Sequence, residues 1–211
     1  MAGDLGYVGG QVSVGGVLGK LTVTSKLGSA DLLSDLAVGG SAGTIVVGSK
    51  TFGGDALGGI EVDGLLKSLT VAGALQGDVV VHGDLAKAVV GRDLGVGGGT
   101  FQVDGALTSL TVGSRSATGH LLSDLLVGVD LTKVAIFGDL RGQVQVTGNL
   151  GSLVARHITN SITVVGDLKS LTTTSTLAVG LSPVDYLFQN PDPEADGELL
   201  VTGSISRLTQ V

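Results

Sequence analysis

Cysteine and tryptophan are absent from the 211 residues, proline occurs 3 times, and the aromatics amount to 2 Tyr and 4 Phe. Without Cys there is neither a disulfide framework nor a thiolate metal site. So few aromatic rings cannot anchor a conventional core. The scarcity of proline, with Gly not recurring at every third residue, excludes a collagen triple helix. Gly or a polar residue interrupts every Leu/Val stretch, so no run reaches the ~18 apolar residues of a spanning helix. Basic residues are also short, 12 Lys+Arg against 19 Asp+Glu for a net charge of −7. With no basic cluster in that balance, nucleic acid is excluded as the expected partner. Met1-Ala2-Gly3-Asp4 lacks the basic and apolar regions of a signal peptide, so any export signal is expected outside this chain.

What is present is 37 Gly and an apolar fraction of 43%, with a mean hydropathy of +0.49. That hydrophobicity is too high for a disordered linker. Leu and Val supply most of it, which points to an interior of small aliphatic side chains in repeated layers.

The chain repeats itself. The template Φ-x-Φ-x-Gly-x-Φ-x-x-Φ-x-Φ, with Φ apolar, starts at residues 12, 36, 60, 79, 101, 125, 144, 162 and 199. Clear copies are Ile60/Val62/Gly64/Leu66/Leu69/Val71 and Phe101/Val103/Gly105/Leu107/Leu110/Val112, and the fifth-position Gly fails once, at Val129. A longer duplication overlies this one, Leu32-Leu33-Ser34-Asp35-Leu36-Ala37-Val38 returning as Leu121-Leu122-Ser123-Asp124-Leu125-Leu126-Val127.

Each Φ-x-Φ is a period-2 signal for a short strand, and the following Gly supplies a corner through positive φ or close backbone approach. Every copy therefore holds two strands around a bend. A variable stretch follows, with its own apolar residue (Leu27, Phe52, Leu75, Leu94, Leu140, Ile158, Leu177), expected to form a third side. Such units cannot bury an apolar face singly, whereas stacking at about 4.8 Å per coil buries a continuous column. The expected fold is all-β: a single-stranded parallel β-helix (β-solenoid), three-sided, of about nine coils of 18–24 residues. The hexapeptide rhythm of left-handed helices is missing, so right-handed coiling is expected. Residues 1–211 read as one domain, with 182–196, which holds all three prolines and four acids, as a dispensable surface loop insertion. Tyr186 and Phe188 make that loop a candidate partner-binding site. Neither terminus reads as a cap, so the chain is expected to be a segment of a longer protein or to self-associate end to end.

Chemistry-bearing residues are few. Gly97-Gly98-Gly99 and Gly53-Gly54-Asp55 do not open a helix carrying Lys-Ser/Thr, so they are corners and not phosphate loops. Gly-Asp and Gly-Asn corners at Asp84, Asp139, Asn149 and Asp167 suit local Asx hydrogen bonding. Stacking brings one mixed constellation to a single flank: Asp63, His82 and Asp104 fall at the same outward position of consecutive coils, with Glu61 and Asp84 nearby. Carboxylates and imidazole about 5 Å apart suit Ca²⁺ or another divalent metal, or acid–base work on a sugar. His120 and His157 fall in variable stretches with no evident partner. A second outward ladder, Thr22, Val46, Thr70, Val89, Thr111, Ala135, Val154, Thr172 and Thr209, forms a flat stripe, which gives a third expectation of ice binding or surface docking.

The Gly-Asp-Leu corners followed by Lys67-Ser68-Leu69-Thr70-Val71, Thr108-Ser109-Leu110-Thr111-Val112 and Lys169-Ser170-Leu171-Thr172 resemble the repeats of large secreted bacterial β-helix proteins of the adhesin and autotransporter-passenger type. The resemblance spans nearly the whole chain. It implies a secreted or cell-surface location, a non-enzymatic structural or adhesive role, no required cofactor, and a host-surface, matrix or polysaccharide ligand. The rival expectation is a carbohydrate-active β-helix, lyase- or hydrolase-like, working through the acidic flank.

Overall fold

The computed structural model describes residues 3–177, 179–181 and 197–210, and the side chains of 175–198 are not described. The segment 182–196, with Tyr186 and Phe188, therefore lies outside the described residues.

Among the described residues the chain is all-β: two parallel ten-stranded sheets and a third side of single bridges that widens to two-residue pairings at Asp139/His157/Thr176 and Leu140/Ile158/Leu177. The first apolar residue of every copy stands beside that of the next. The register runs Val12, Leu36, Ile60, Val79, Phe101, Leu125, Val144, Ile162, Leu199 through the first sheet. The second sheet is built the same way by the second half of each copy, through Leu21, Ile45, Leu69, Ala88, Leu110, Val134, Leu153, Leu171 and Leu208. All five apolar template positions of the third copy, from Ile60 to Val71, are at most 2% exposed. Period 2 within each strand, broken at the corner, thus turns the Φ positions of the inner copies inward. The result is a β-solenoid with one continuous core, aliphatic but for Phe101. Val12, Val14, Leu18 and Leu21 of the first coil are only partly buried, because an outermost coil has a neighbour on one side alone.

The third side corrects two expectations. Its column is Leu5, Leu32, Ala56, Leu75, Leu94, Leu121, Leu140, Ile158 and, by backbone register, Leu177, whereas Leu27 is 90% exposed and Phe52 44% exposed. Both sit on excursions where the longer coils have room to bulge. The column residue is found by counting back from the next strand. Leu32, Ala56, Leu75, Leu121, Leu140 and Ile158 each precede the next copy's first apolar residue by four. Leu5 and Leu94 precede it by seven, the extra residues forming glycine loops with positive φ at Gly6 and Gly9 and at Gly95, Gly97, Gly98 and Gly99. Seven of these residues, Leu32 to Ile158, close turns around the core with at most 1% exposure. The solenoid therefore has about seven turns and not nine.

At the corners, one of the two expected roles of glycine holds and the expected role of the carboxylates does not. The fifth-position glycines are not among those with positive φ. They are required for close approach: a Cβ on Gly83 would lie 2.8 Å from Gly64 C and Leu65 N, and one on Gly166 would lie 2.7 Å from Gly148 O. The carboxylates do not close local Asx turns. Asp84 Oδ1 accepts the Ala106 amide at 2.8 Å, Asp130 Oδ1 that of Asn149 at 2.7 Å, Asn149 Oδ1 that of Asp167 at 2.9 Å and Asp167 Oδ1 that of Ser204 at 2.8 Å. Each side chain ties its own coil to the next. The corner entering the first sheet repeats this with Asp35, Asp78 and Asp124 holding the amides of Gly59, Thr100 and Gln143. Asp4, Asp31, Asp55 and Asp93 do the same on the third side. A short acceptor stacked at constant register meets the one backbone donor that the bend leaves outside the ladder.

Candidate functional site

Asp63, His82 and Asp104 each follow the last inward valine of a first-sheet strand, and Val62, Val81 and Val103 are register partners. The three side chains therefore emerge one above another at the exit corner. Glu61 projects from the middle of its strand, between buried Ile60 and Val62. Asp84 does not join them, because its carboxylate is engaged at the next corner with Ala106.

His82 is the hinge of the cluster. Its Nδ1 lies 2.7 Å from Asp104 Oδ2 and its Nε2 lies 3.6 Å from Glu61 Oε1. Gln102 donates from Nε2 to Asp104 Oδ1 at 2.7 Å, fixing the carboxylate that fixes the imidazole. The hydrogen bond to Asp104 raises the His82 pKa against the opposing effect of desolvation, with Glu61 and Asp63 adding to the rise. The Asp104 carboxyl is held below the usual range, first by Gln102 and then by His82. A raised imidazole pKa contributes stability below 6.5 that disappears as pH rises through the folded value. The depressed carboxyl contributes above 3.8 and is lost as pH falls through its own folded value. The pair is thus strongest between these limits. Replacing Asp104 with Asn should return the His82 titration, followed by NMR of its ring protons, toward 6.5. An unchanged titration would mean that Asp104 does not set it.

Glu61, Asp63 and His82 can each offer one ligand atom, and all three atoms lie within 4.8 Å of one another. Beside them the outer surface of the first sheet is hollowed into a groove of about 470 Å³, lined by Asp35, Ala37, Glu61, Asp78 and Val80. The face combines an oriented imidazole with carboxylates from several coils, chemistry suited to holding a cation or a polyhydroxylated ligand.

Two features of the molecule were not evident in the sequence. Gln102 belongs to the His82–Asp104 chain: its outward position follows from period 2, but only the structure shows that its amide reaches Asp104. On the third side Asp139, its side chain 9% exposed, lies 2.8 Å from Arg141, 3.4 Å from Arg156 and 3.4 Å from His120. His120 therefore has partners, its Nδ1 also accepting the Asp139 amide at 3.0 Å, and His157 stands beside Asp139 in register. Burial pushes the Asp139 carboxyl up, but Arg141, His120 and Arg156 outweigh it and hold it below the usual range. The Thr/Val stripe from Thr22 to Thr209 occupies a single column of the second sheet.

No family model, no curated protein and no solved structure matches this chain.

Proposed function

We propose that this chain is a non-enzymatic structural segment of an exported protein, a stiff β-solenoid whose flanks present adhesive chemistry at the cell surface. The observation that carries the reading is the continuity of the stack. One aliphatic core runs through the coils, and the corner carboxylates are spent on tying coil to coil. A screen of acidic and neutral polysaccharides should show no cleavage. Turnover that disappears in Asp104→Asn would overturn the scaffold reading in favour of a carbohydrate-active one.

A second reading is supported by the Glu61/Asp63/His82 geometry: the flank binds a divalent metal of the Zn²⁺ class. Asp104 accepts from Nδ1, leaving Nε2 to face Glu61, which is how outer-shell carboxylates orient metal-binding imidazoles. Calorimetric titration with Zn²⁺ should give one site, abolished by His82→Ala. Asp104→Asn should weaken it by about 10–100-fold, and Asp84→Asn should leave it unchanged. Affinity should fall as pH drops through the raised His82 pKa, because the proton and the metal compete for the imidazole. No heat with the wild-type protein removes this reading.

A further inference from the structure

The charges are sorted by sheet. The nine second-sheet strands of the register path contain no Asp or Glu, and Lys20, Lys67, Lys87, Lys133 and Lys169 project from them. The first-sheet strands contain no Lys or Arg. Their outer surface carries Asp35, Glu61 and Asp124, and Asp63, Asp78 and Asp104 adjoin the same strands. All five lysines are exposed, and among the described residues none of them has a carboxylate within 4 Å. The acids nearest the lysine face, such as Asp84 and Asp130, sit at the corner shared by the two sheets with one oxygen on the next coil's amide.

We infer that the lysine face of one molecule docks on the acidic groove of a second copy, so that solenoids associate side by side. This builds on the scaffold reading and names its partner. Both faces are presented by the same coils, so their charges recur with the same rise. Lys87 and Lys133 stand two rungs apart, as do Asp78 and Asp124 on the first-sheet face, about 10 Å in each case. A row of cations and a row of anions with equal spacing can pair many times at once, and repeated weak pairs add through effective concentration. The groove of about 470 Å³ that holds Asp35, Glu61 and Asp78 gives extended lysine side chains a place to enter. The contact is heterologous, one kind of face on the other kind, so it does not close at a dimer but continues into larger rafts.

The test uses the full chain and two charge-reversed variants, Lys67→Glu/Lys87→Glu/Lys133→Glu and Glu61→Lys/Asp63→Lys/Asp104→Lys. None of the six residues donates or accepts a hydrogen bond that caps a neighbouring coil's amide among those described, and circular dichroism with a cooperative melt checks that each variant folds. Sedimentation velocity should show the wild type above monomer mass at about 20 mM salt and monomeric at about 500 mM, where the screening length falls to a few ångströms. Each variant alone should be monomeric at low salt, and an equimolar mixture should associate again, because each then supplies the face the other has inverted. A wild-type protein that melts cooperatively but is monomeric at low salt overturns the inference while leaving the scaffold reading intact. The inference also fails if association survives in either variant alone, which would place the contact at the coil ends. Binding of polyglutamate to the lysine face by a protein that itself stays monomeric would overturn it in favour of an anionic polymer.

Discussion

Replacing Leu69 with Asp should abolish folding. Leu69 is fully buried, with Ile45 and Ala88 as its register neighbours in the coils on either side. Its surroundings are aliphatic in every direction the core extends, so an introduced carboxylate would have neither water nor a partner. Truncating such a side chain costs about 2–5 kcal/mol, and adding an unpaired charge raises the loss beyond the ~4–5 kcal/mol that marks the extreme of single substitutions. Leu110→Asp, at the same column position two rungs on, should behave alike. Thr108→Asp, two residues away and exposed, should fold and melt close to wild type. Circular dichroism and a denaturant titration read the outcome. A soluble, β-rich, cooperatively melting Leu69→Asp protein would show that the column is not the core.

The second large effect is expected from a single methyl group. A Cβ on Gly142 would lie 1.8 Å from Ser123 O and 2.4 Å from Ser123 C, which are backbone atoms of the preceding coil. The same corner is occupied by Gly58 and Gly77, where an added Cβ would lie 2.2 Å from Ser34 O and 2.3 Å from Gly58 O. A side chain can rotate away from such a clash, but a stacked backbone can yield only by opening the ladder. Gly142→Ala should therefore destabilise by about 1–3 kcal/mol or more, as overpacking of a close-packed interior does, and lower the melting temperature by several degrees. Gly16→Ala, in the first coil with nothing within 4 Å of the added carbon, serves as the control and should cost far less. Equal melting temperatures for the two variants would refute close approach as the reason for glycine at this corner.

These two residues mark how far the sequence could be read. Leu69 was assigned inward from spacing alone, because period 2 within a strand and a fixed interval between strands leave one face that can be apolar in every copy. Gly142 was invisible to that logic. It lies in the variable stretch, outside the repeating template, and its need for glycine comes from a carbonyl 19 residues earlier in the chain. The third side failed for a related reason. An apolar residue such as Leu27 or Phe52 has the same appearance whether it plugs the core or rides on an excursion, and only the bridge from Leu32 to Ala56 separates the two cases.

The candidate flank divides in the same way. That Asp63, His82 and Asp104 share a column followed from the copy alignment, since equal positions in a stacked repeat become neighbours in space. The exclusion of Asp84, the recruitment of Gln102 and the coil-to-coil use of Asp130 and Asp167 did not follow. They depend on which carboxylate oxygen meets which amide across a rung, a matter of ångströms.

The sequence by itself determined the parallel stacked architecture, the inward residues of both sheets and the vertical alignment of like positions, because an apolar pattern repeated at fixed intervals has one economical way to leave water. Only the tertiary structure decided how the third side closes and what the corner acids do. These depend on contacts between residues 18 to 37 positions apart, set by the rise and bend of the stacked backbone, and no local pattern encodes that distance.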